Sequence, residues 1–326
     1  MKIIDMHCDT ISELADRGGE LWKNDGQLDL QRMRQSGYLL QNFALFVDIG
    51  KCAATPWERV CGLYEVYRRE LEKNRDRIAP VLCYEDILRN ETCGKMSAFL
   101  TVEEGAVCGG SIERLRELYG MGVRMLTLTW NYQNELGEPA ICRTSGGAGI
   151  SCRQDGTETG LTETGRIFVT EMDRLGMIPD VSHLSDAGFD AVWECTKKPF
   201  VASHSNVRAV CSSLRNLTDE RIRRLAERGG CMGLNYYDRF LVDGGSKDPE
   251  VLWEAIVRQI RYITDIGGME VLGLGSDFDG IPTNPALPGA ETMPLLWERL
   301  KAAGFTESQL DGIFWKNVMR VYQETL

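Results

Sequence analysis

The sequence predicts an α/β fold, a (β/α)8 TIM barrel. Two observations carry that expectation. Short apolar, β-branched runs alternate with helical patterns along the whole chain, the signature of βα units on a parallel sheet. Eight such runs can be counted, the number that closes a barrel. In chain order they are Lys2 to Met6, Leu40 to Val47, Ala98 to Glu103, Val123 to Thr129, Ile178 to Ser182, Phe200 to Ser203, Cys231 to Tyr236 and Val271 to Ser276.

The helices between them can be argued from caps as well as period. Thr55 precedes Pro56 and has Glu58 three residues on, a capping-box pattern, after which Trp57, Val60, Tyr64, Tyr67 and Leu71 share one face. Thr218 opens a second helix with Ile222, Leu225 and Ala226 facing inward and Gly229 in the stop position. Asp248-Pro249 opens a third, with Leu252, Ile256, Ile260 and Ile263 on its stripe. No repeat, linker or charge block divides the chain, so residues 1–326 are expected to form a single barrel domain. Glu135 to Gly160 departs from the alternation. It has neither period, is rich in Gly, Cys and polar residues, and follows the fourth run, which would place an active-site loop at 135–160 over the barrel mouth.

Composition narrows the function. With 48 Asp plus Glu against 37 Lys plus Arg the formal charge is −11, and no basic face exists to neutralise phosphates or hold an anionic membrane. Nucleic acid and membrane are therefore not expected as partners. The longest apolar candidate, Leu39 to Val47, is interrupted by Gln41 and Asn42 and falls short of the roughly 18 to 20 residues of a membrane span. Charge at Asp5 leaves no room for a signal-peptide core. The 11 cysteines are an odd number scattered over a long chain, which reads as reduced thiols and a cytoplasmic location.

The chain holds only 3 histidines, and His7, His183 and His204 each follow directly on a predicted strand. In a parallel barrel those positions converge on one mouth, where the active sites of the fold lie. Carboxylates share that level. Asp9 is two residues from His7, so a persisting strand would send both side chains to one side; Glu103 ends the third run and Asp277 follows the eighth. Three imidazoles with two or three carboxylates suit zinc or a similar divalent ion, and five ligands are better explained by two metals sharing a carboxylate than by one closed site. Taken singly, each residue has a plainer reading: a hydrogen-bonded histidine, a helix cap at Asp9, a turn at Asp279. Cys8, between His7 and Asp9, should point away. Residue parity alone does not choose between Glu103 and Glu104.

With these positions in hand, the chain resembles the membrane dipeptidase (renal dipeptidase) family of zinc metallopeptidases along nearly its whole length. Asp5-Met-His7-Cys-Asp9-Thr10 is similar to that family's D-x-H-x-D opening and Val102-Glu103-Glu104-Gly105 to its V/I-E-G-G segment. Gly160 through His183, Ser203-His204-Ser205, Arg215-Asn216 and Gly275-Ser-Asp277-Phe-Asp279-Gly280 continue the likeness in order. The resemblance implies a metal-dependent hydrolase barrel with two zinc ions per chain. His7 and Asp9 would hold one, His183 and His204 the other, and Glu103 would bridge them; Glu103 and Asp277 would be the catalytic residues. Arg215, Asp277 and Trp130 would contact a small dipeptide, whose peptide bond would be cleaved through a metal-bridging hydroxide. Members of that family are often dimers, which makes a homodimer one expectation. Two departures stand out: Trp130 occupies the place of a family histidine, with Asn131 beside it as a polar substitute, and Glu104 that of a family glycine.

Two other readings compete. One is another binuclear metal-dependent amidohydrolase or lactonase on the same barrel; Arg215 discriminates, because a free substrate carboxylate requires it and a neutral lactone does not. The other is a metal-binding barrel with weak catalysis, for which Trp130 is the sole argument.

Overall fold

The computed structural model describes residues 1–143, 150–151 and 159–326, the pair 150–151 in backbone alone. The eight expected strands are all present: β1 (Ile3–Asp5), β2 (Tyr38–Phe46), β3 (Met96–Glu103), β4 (Met125–Thr127), β5 (Ile178–Asp180), β6 (Val201–Ala202), β7 (Cys231–Leu234) and β8 (Leu272–Leu274). Each pairs in parallel with the next, and Asp5 opposite Leu274 joins β1 to β8, closing the cylinder. The longest seam is between β2 and β3, running from Leu40 opposite Ser97 to Phe46 opposite Glu103. A further strand, Ile78–Pro80, was not legible as an apolar run; it pairs with the start of β3 below the point where β4 takes over that edge.

The helices follow the caps. Pro56–Lys73 carries the complete Thr55/Glu58 capping box and buries Val60, Leu63, Tyr67 and Leu71. Asp219–Glu227 buries Ile222 and Leu225, and Pro249–Gly267 buries Leu252, Ile256, Ile260 and Ile263. Inside the barrel Ile4, Met6, Leu40, Phe99, Met125, Ile178, Val201 and Cys231 form a core with Val318, Met319 and Tyr322 of the last helix, Asn317–Thr325. Tyr322 stacks on Phe99 at 4.5 Å and donates its hydroxyl to Asn42 Oδ1. That helix sits beneath the strands' N-terminal ends, its Arg320 and Thr325 against Gly229 and Gly176. The opposite end is thereby left for chemistry. Among the described residues no helix is long and apolar enough to cross a membrane.

The expected mouth loop is partly described. Residues 135–140 are fastened to the exit of β5: Gly137 bridges to Leu161, Pro139 to Leu184, and Ala140 N–H donates to the His183 carbonyl at 2.7 Å. Cys142–Arg143 and Ile150–Ser151 then pair antiparallel. The rest of that expectation, 144–149 and 152–158, lies outside the described residues.

Close backbone approach explains why glycine recurs on the last strands. A Cβ on Gly233 would fall 2.0 Å, and one on Gly275 1.9 Å, from the Ser203 carbonyl oxygen. We expect Gly275→Ala to lower the unfolding free energy by about 2 kcal/mol, the size of an overpacking penalty. Gly62, inside the helix Pro56–Lys73 with nothing within 4 Å of an added Cβ, should instead gain about 0.5–1 kcal/mol as Gly62→Ala. Urea midpoints of the two variants check both signs.

Candidate metal centre

Every nominated ligand reaches the C-terminal mouth. Asp9 does so by a different route from the one strand parity suggested. β1 ends at Asp5; extension resumes only at Cys8, which bridges in parallel to Phe278 and turns its thiol toward the Asn42 carbonyl. Asp9 occupies the N-cap position of helix Thr10–Arg17 but accepts no capping hydrogen bond there. Its carboxylate is 3.5 Å from His7 Nε2. Glu103 is the last residue of β3, as expected, and its two oxygens divide the histidines. Oε2 lies 3.3 Å from His7 Nε2, while Oε1 lies 2.9 Å from His183 Nε2 and 3.6 Å from His204 Nε2. Asp277 Oδ1 is 3.8 Å from His7 Nε2.

The donor atoms of His7, Glu103 and His204 all lie within 4.8 Å of one another, as do those of His7, Asp9 and Asp277, and all these residues are buried. His7 Nε2 stands 3.3–3.8 Å from three carboxylates yet makes no directed hydrogen bond, and Asp9 Oδ1 has no partner either.

The other two imidazoles are more telling. His204 Nδ1 donates to Ser203 Oγ at 2.8 Å, whose own proton goes to Asp180 Oδ2 at 2.6 Å. His183 Nδ1 donates to Asn131 Oδ1 at 3.0 Å. Both rings must then present a lone pair at Nε2, and those two atoms are 3.0 Å apart. Two lone pairs at that separation repel unless a cation lies between them. Ligand atoms about 2.0–2.1 Å from a tetrahedral zinc are about 3.3 Å from each other, so the spacing of this set fits the ion.

Electrostatics run the same way. Burial, with Arg215 adding to it, pushes the His183 pKa down to about 4; burial and the neighbouring His7 push His204 down to about 3. Both stay neutral and able to ligate. Burial opposes charge on His7 too, but Glu103 and Asp9 outweigh it and raise its pKa, while burial of Glu103 is overcome by the charge on His7, which holds it well below the usual carboxylate range. Positive charge is wanted between these groups. Burial lifts Asp9 to about 6 and Asp277 to about 7, with the charge of Glu103 adding to each.

Several supporting residues were missed from sequence. Asp180, ending β5, accepts from Thr127, Ser182 and Ser203, and so orients His204 through one intervening hydroxyl. Asp5 takes the N–H groups of His7 and Ser276 on one oxygen, tying the exits of β1 and β8. Asn235 donates to Asp277 Oδ2 at 2.9 Å. Each is a polar residue at the end of an apolar run, the signal that singled out Glu103; Asp5 stood in the D-x-H-x-D motif without being given a role, and Asp180 and Asn235 were not nominated. Asp279 is structural: it accepts from Thr10 Oγ1 and from the Gln27 N–H.

Arg215 is almost wholly buried, with Nε and Nη1 unpartnered and only Nη2 directed to the His204 carbonyl, at 3.5 Å. Burial lowers its pKa to about 10, well above neutrality, so it carries an unpaired charge. Trp130 and Asn131 follow β4 and are partly exposed. Glu104 turns the opposite way from Glu103, is fully buried, and is pushed up to about 7 by that burial. Among the described residues the non-glycine positions with positive φ are Glu104, Asp277 and Asp279, at 118°, 63° and 67°. All three lie at this mouth, where strain is held by surrounding bonds.

Gly280 is required there, since a Cβ would stand 2.0 Å from Asp9 Oδ2 and 2.5 Å from Asp277 Oδ1. Gly280→Ala should therefore lower the metal content of the protein without unfolding the barrel. Ser203→Ala, which cuts the Asp180 relay, should weaken divalent-metal affinity by about 10–100-fold. Elemental analysis and competition with a chromogenic chelator check both.

Comparison with known proteins agrees with this geometry. The family described as membrane dipeptidase (peptidase family M19) matches residues 1–326. An uncharacterised dipeptidase of Schizosaccharomyces pombe is 32% identical over 311 residues, 91% of this chain and 72% of that one. The dipeptidase AclJ of Aspergillus oryzae is 30% identical over 310 residues, covering 91% and 69%. A metallopeptidase from Rhodobacter sphaeroides, crystallised with a phosphinate mimic of the dipeptide L-Ala-D-Ala, superposes with a TM-score of 0.88 at 25% identity, over 100% of this chain and 99% of the other.

Proposed function

This chain belongs to the membrane dipeptidase family, peptidase family M19, and from that premise we propose that it hydrolyses small dipeptides at two zinc ions held by His7, Asp9, Glu103, His183 and His204. That it is a metal-dependent dipeptidase follows from the family; the metal, its number and the residue roles are the proposal. The observation that carries it is the pair of imidazole Nε2 atoms 3.0 Å apart, flanked by the divided carboxylate of Glu103.

When bound, zinc ions supply a water acidic enough to attack at neutral pH and a Lewis acid for the scissile carbonyl. The chain supplies the rest. Arg215, whose Nε and Nη1 are without hydrogen-bond partners, offers its charge and a free N–H donor to the substrate's carboxylate. Asp277, held by Asn235, accepts the proton of the attacking water as the C–O bond forms and passes it to the leaving nitrogen as the C–N bond breaks. A carboxyl whose pKa is lifted to about 7 can both take and give that proton near neutrality. Arg215 also weighs against the lactonase reading, because a neutral lactone would leave its buried charge uncompensated. A cytoplasmic location remains part of the proposal on the cysteine argument; the ten cysteines among the described residues are free thiols.

Asp277→Asn should keep two zinc equivalents while kcat falls by at least two orders of magnitude. Arg215→Met should raise KM for dipeptides while leaving zinc content intact. A panel of L-L and L-D dipeptides with and without chelator, alongside a lactone, tests class: lactone turnover without dipeptide cleavage would overturn the proposal.

A further inference from the structure

The groups assigned to hydrolysis leave one part of the mouth unexplained. The Trp130 ring centroid lies 6.2 Å from that of His183, 4.8 Å from Phe46 and 5.9 Å from Tyr132. The Arg143 guanidinium stands 4.6 Å over it. Phe46, Trp130 and Tyr132 are each partly exposed, whereas the candidate ligands, Asp277 and Arg215 are all buried. The partly exposed surface beside His183 is thus formed by these rings together with Asn131 and Arg143. It is also pinned: a Cβ on Gly50 would lie 2.1 Å from the Tyr132 hydroxyl, so the loop after β2 presses directly on this wall.

Glu104 secures it from below. Its carboxylate takes the Trp130 N–H at 3.2 Å, the Ala106 N–H at 2.9 Å and the Asn134 amide at 2.5 Å. Asn134 in turn accepts from the N–H groups of Leu136 and Gly137. The backbone of Glu104, at φ 118°, is one that glycine adopts freely and glutamate does not. A strained glutamate persists where its bonds outweigh the strain. What those bonds fix is the Trp130–Asn131 pair, one member aromatic and partly exposed, the other bonded to His183. Glu104 thus holds the backbone of the segment that carries Trp130.

We propose that Trp130, positioned by Glu104, is a specificity-determining residue that makes this active site prefer dipeptides bearing an apolar, above all aromatic, side chain over those built only from Gly and Ala. The inference deepens the dipeptidase reading and rests on it. An aromatic side chain packed on a fixed indole removes apolar area from water and adds a ring–ring contact, enough for discrimination on the order of tenfold. Glu104 acts through Trp130 and is a positioning residue.

The test compares kcat/KM of the zinc-loaded protein for X-Ala and Ala-X dipeptides, X being Gly, Ala, Leu or Phe, in the wild type and in Trp130→Ala, Trp130→Phe, Glu104→Gly and Glu104→Gln. The wild type should favour Phe over Ala about tenfold or more at one of the two positions, chiefly in KM. Trp130→Ala should level that ratio, and Trp130→Phe should keep most of it. Glu104→Gly, which relieves the backbone strain and so should fold, should move the ratio toward that of Trp130→Ala. Glu104→Gln, which keeps one accepting oxygen, should fall between. A wild type without the preference, or Trp130→Ala retaining it, overturns the proposal; full preference in Glu104→Gly removes Glu104 from it. Calorimetric binding of Phe-Ala, Ala-Phe and Ala-Ala to the same proteins separates the two readings. If nothing is cleaved but a Phe-containing dipeptide binds more tightly only when Trp130 is present, the dipeptidase assignment fails and the aromatic wall stands. Equal binding together with no cleavage sinks both.

Discussion

Glu103 and the imidazoles around it set the terms for the whole mouth. One carboxylate, almost completely removed from water, lies between His7 on one oxygen and His183 and His204 on the other. Burying a charge in this way is costly unless it is paired. The pairing is incomplete from the protein's side, since two of the imidazoles are locked with their lone pairs facing each other. A protein that builds such a cluster at the open end of a barrel has prepared a place for cations, and the surrounding architecture serves to hold those groups against their mutual repulsion.

The barrel does so by several devices at once. β1, β3, β5, β6 and β8 each deliver one or more polar side chains at their C-terminal ends, and Asp5 and Asp180 cross-link those exits from beneath. Gly233 and Gly275 let the exits of β6, β7 and β8 crowd together, and Gly280 lets Asp9 and Asp277 approach the same space. The strained backbones of Glu104, Asp277 and Asp279 are the local cost of that crowding. At the other end the last helix fills the interior with Tyr322 on Phe99, so that the cylinder is a packed core below and a polar chamber above.

Around the centre the surroundings differ by side. Toward Arg215 they are cationic and unpaired, suited to a carboxylate; toward Trp130 they are aromatic and partly open. A small substrate carrying both a free carboxylate and a side chain would meet a distinct surface for each. The metal groups would fix the bond to be cleaved, and the two flanking surfaces would decide which molecules present it there.

Much of this was legible in the chain alone. Alternation of apolar runs with capped helices specified eight parallel strands, because a buried parallel strand reads as a continuous apolar run and its crossover helix as a 3.6-residue stripe. The three histidines and Glu103 could be nominated because a strand's end is also a place in a barrel. Ile78–Pro80 escaped notice: it has three residues, of which one is exposed and one half-buried, so it does not read as an apolar run. What the chain could not disclose was anything decided by contact across it. The split of Glu103 between two sets of imidazoles, the Asp180–Ser203–His204 relay and the Glu104–Trp130 bond each join residues on different turns or strands. Their partners are chosen by the closure of the cylinder, which no local period records.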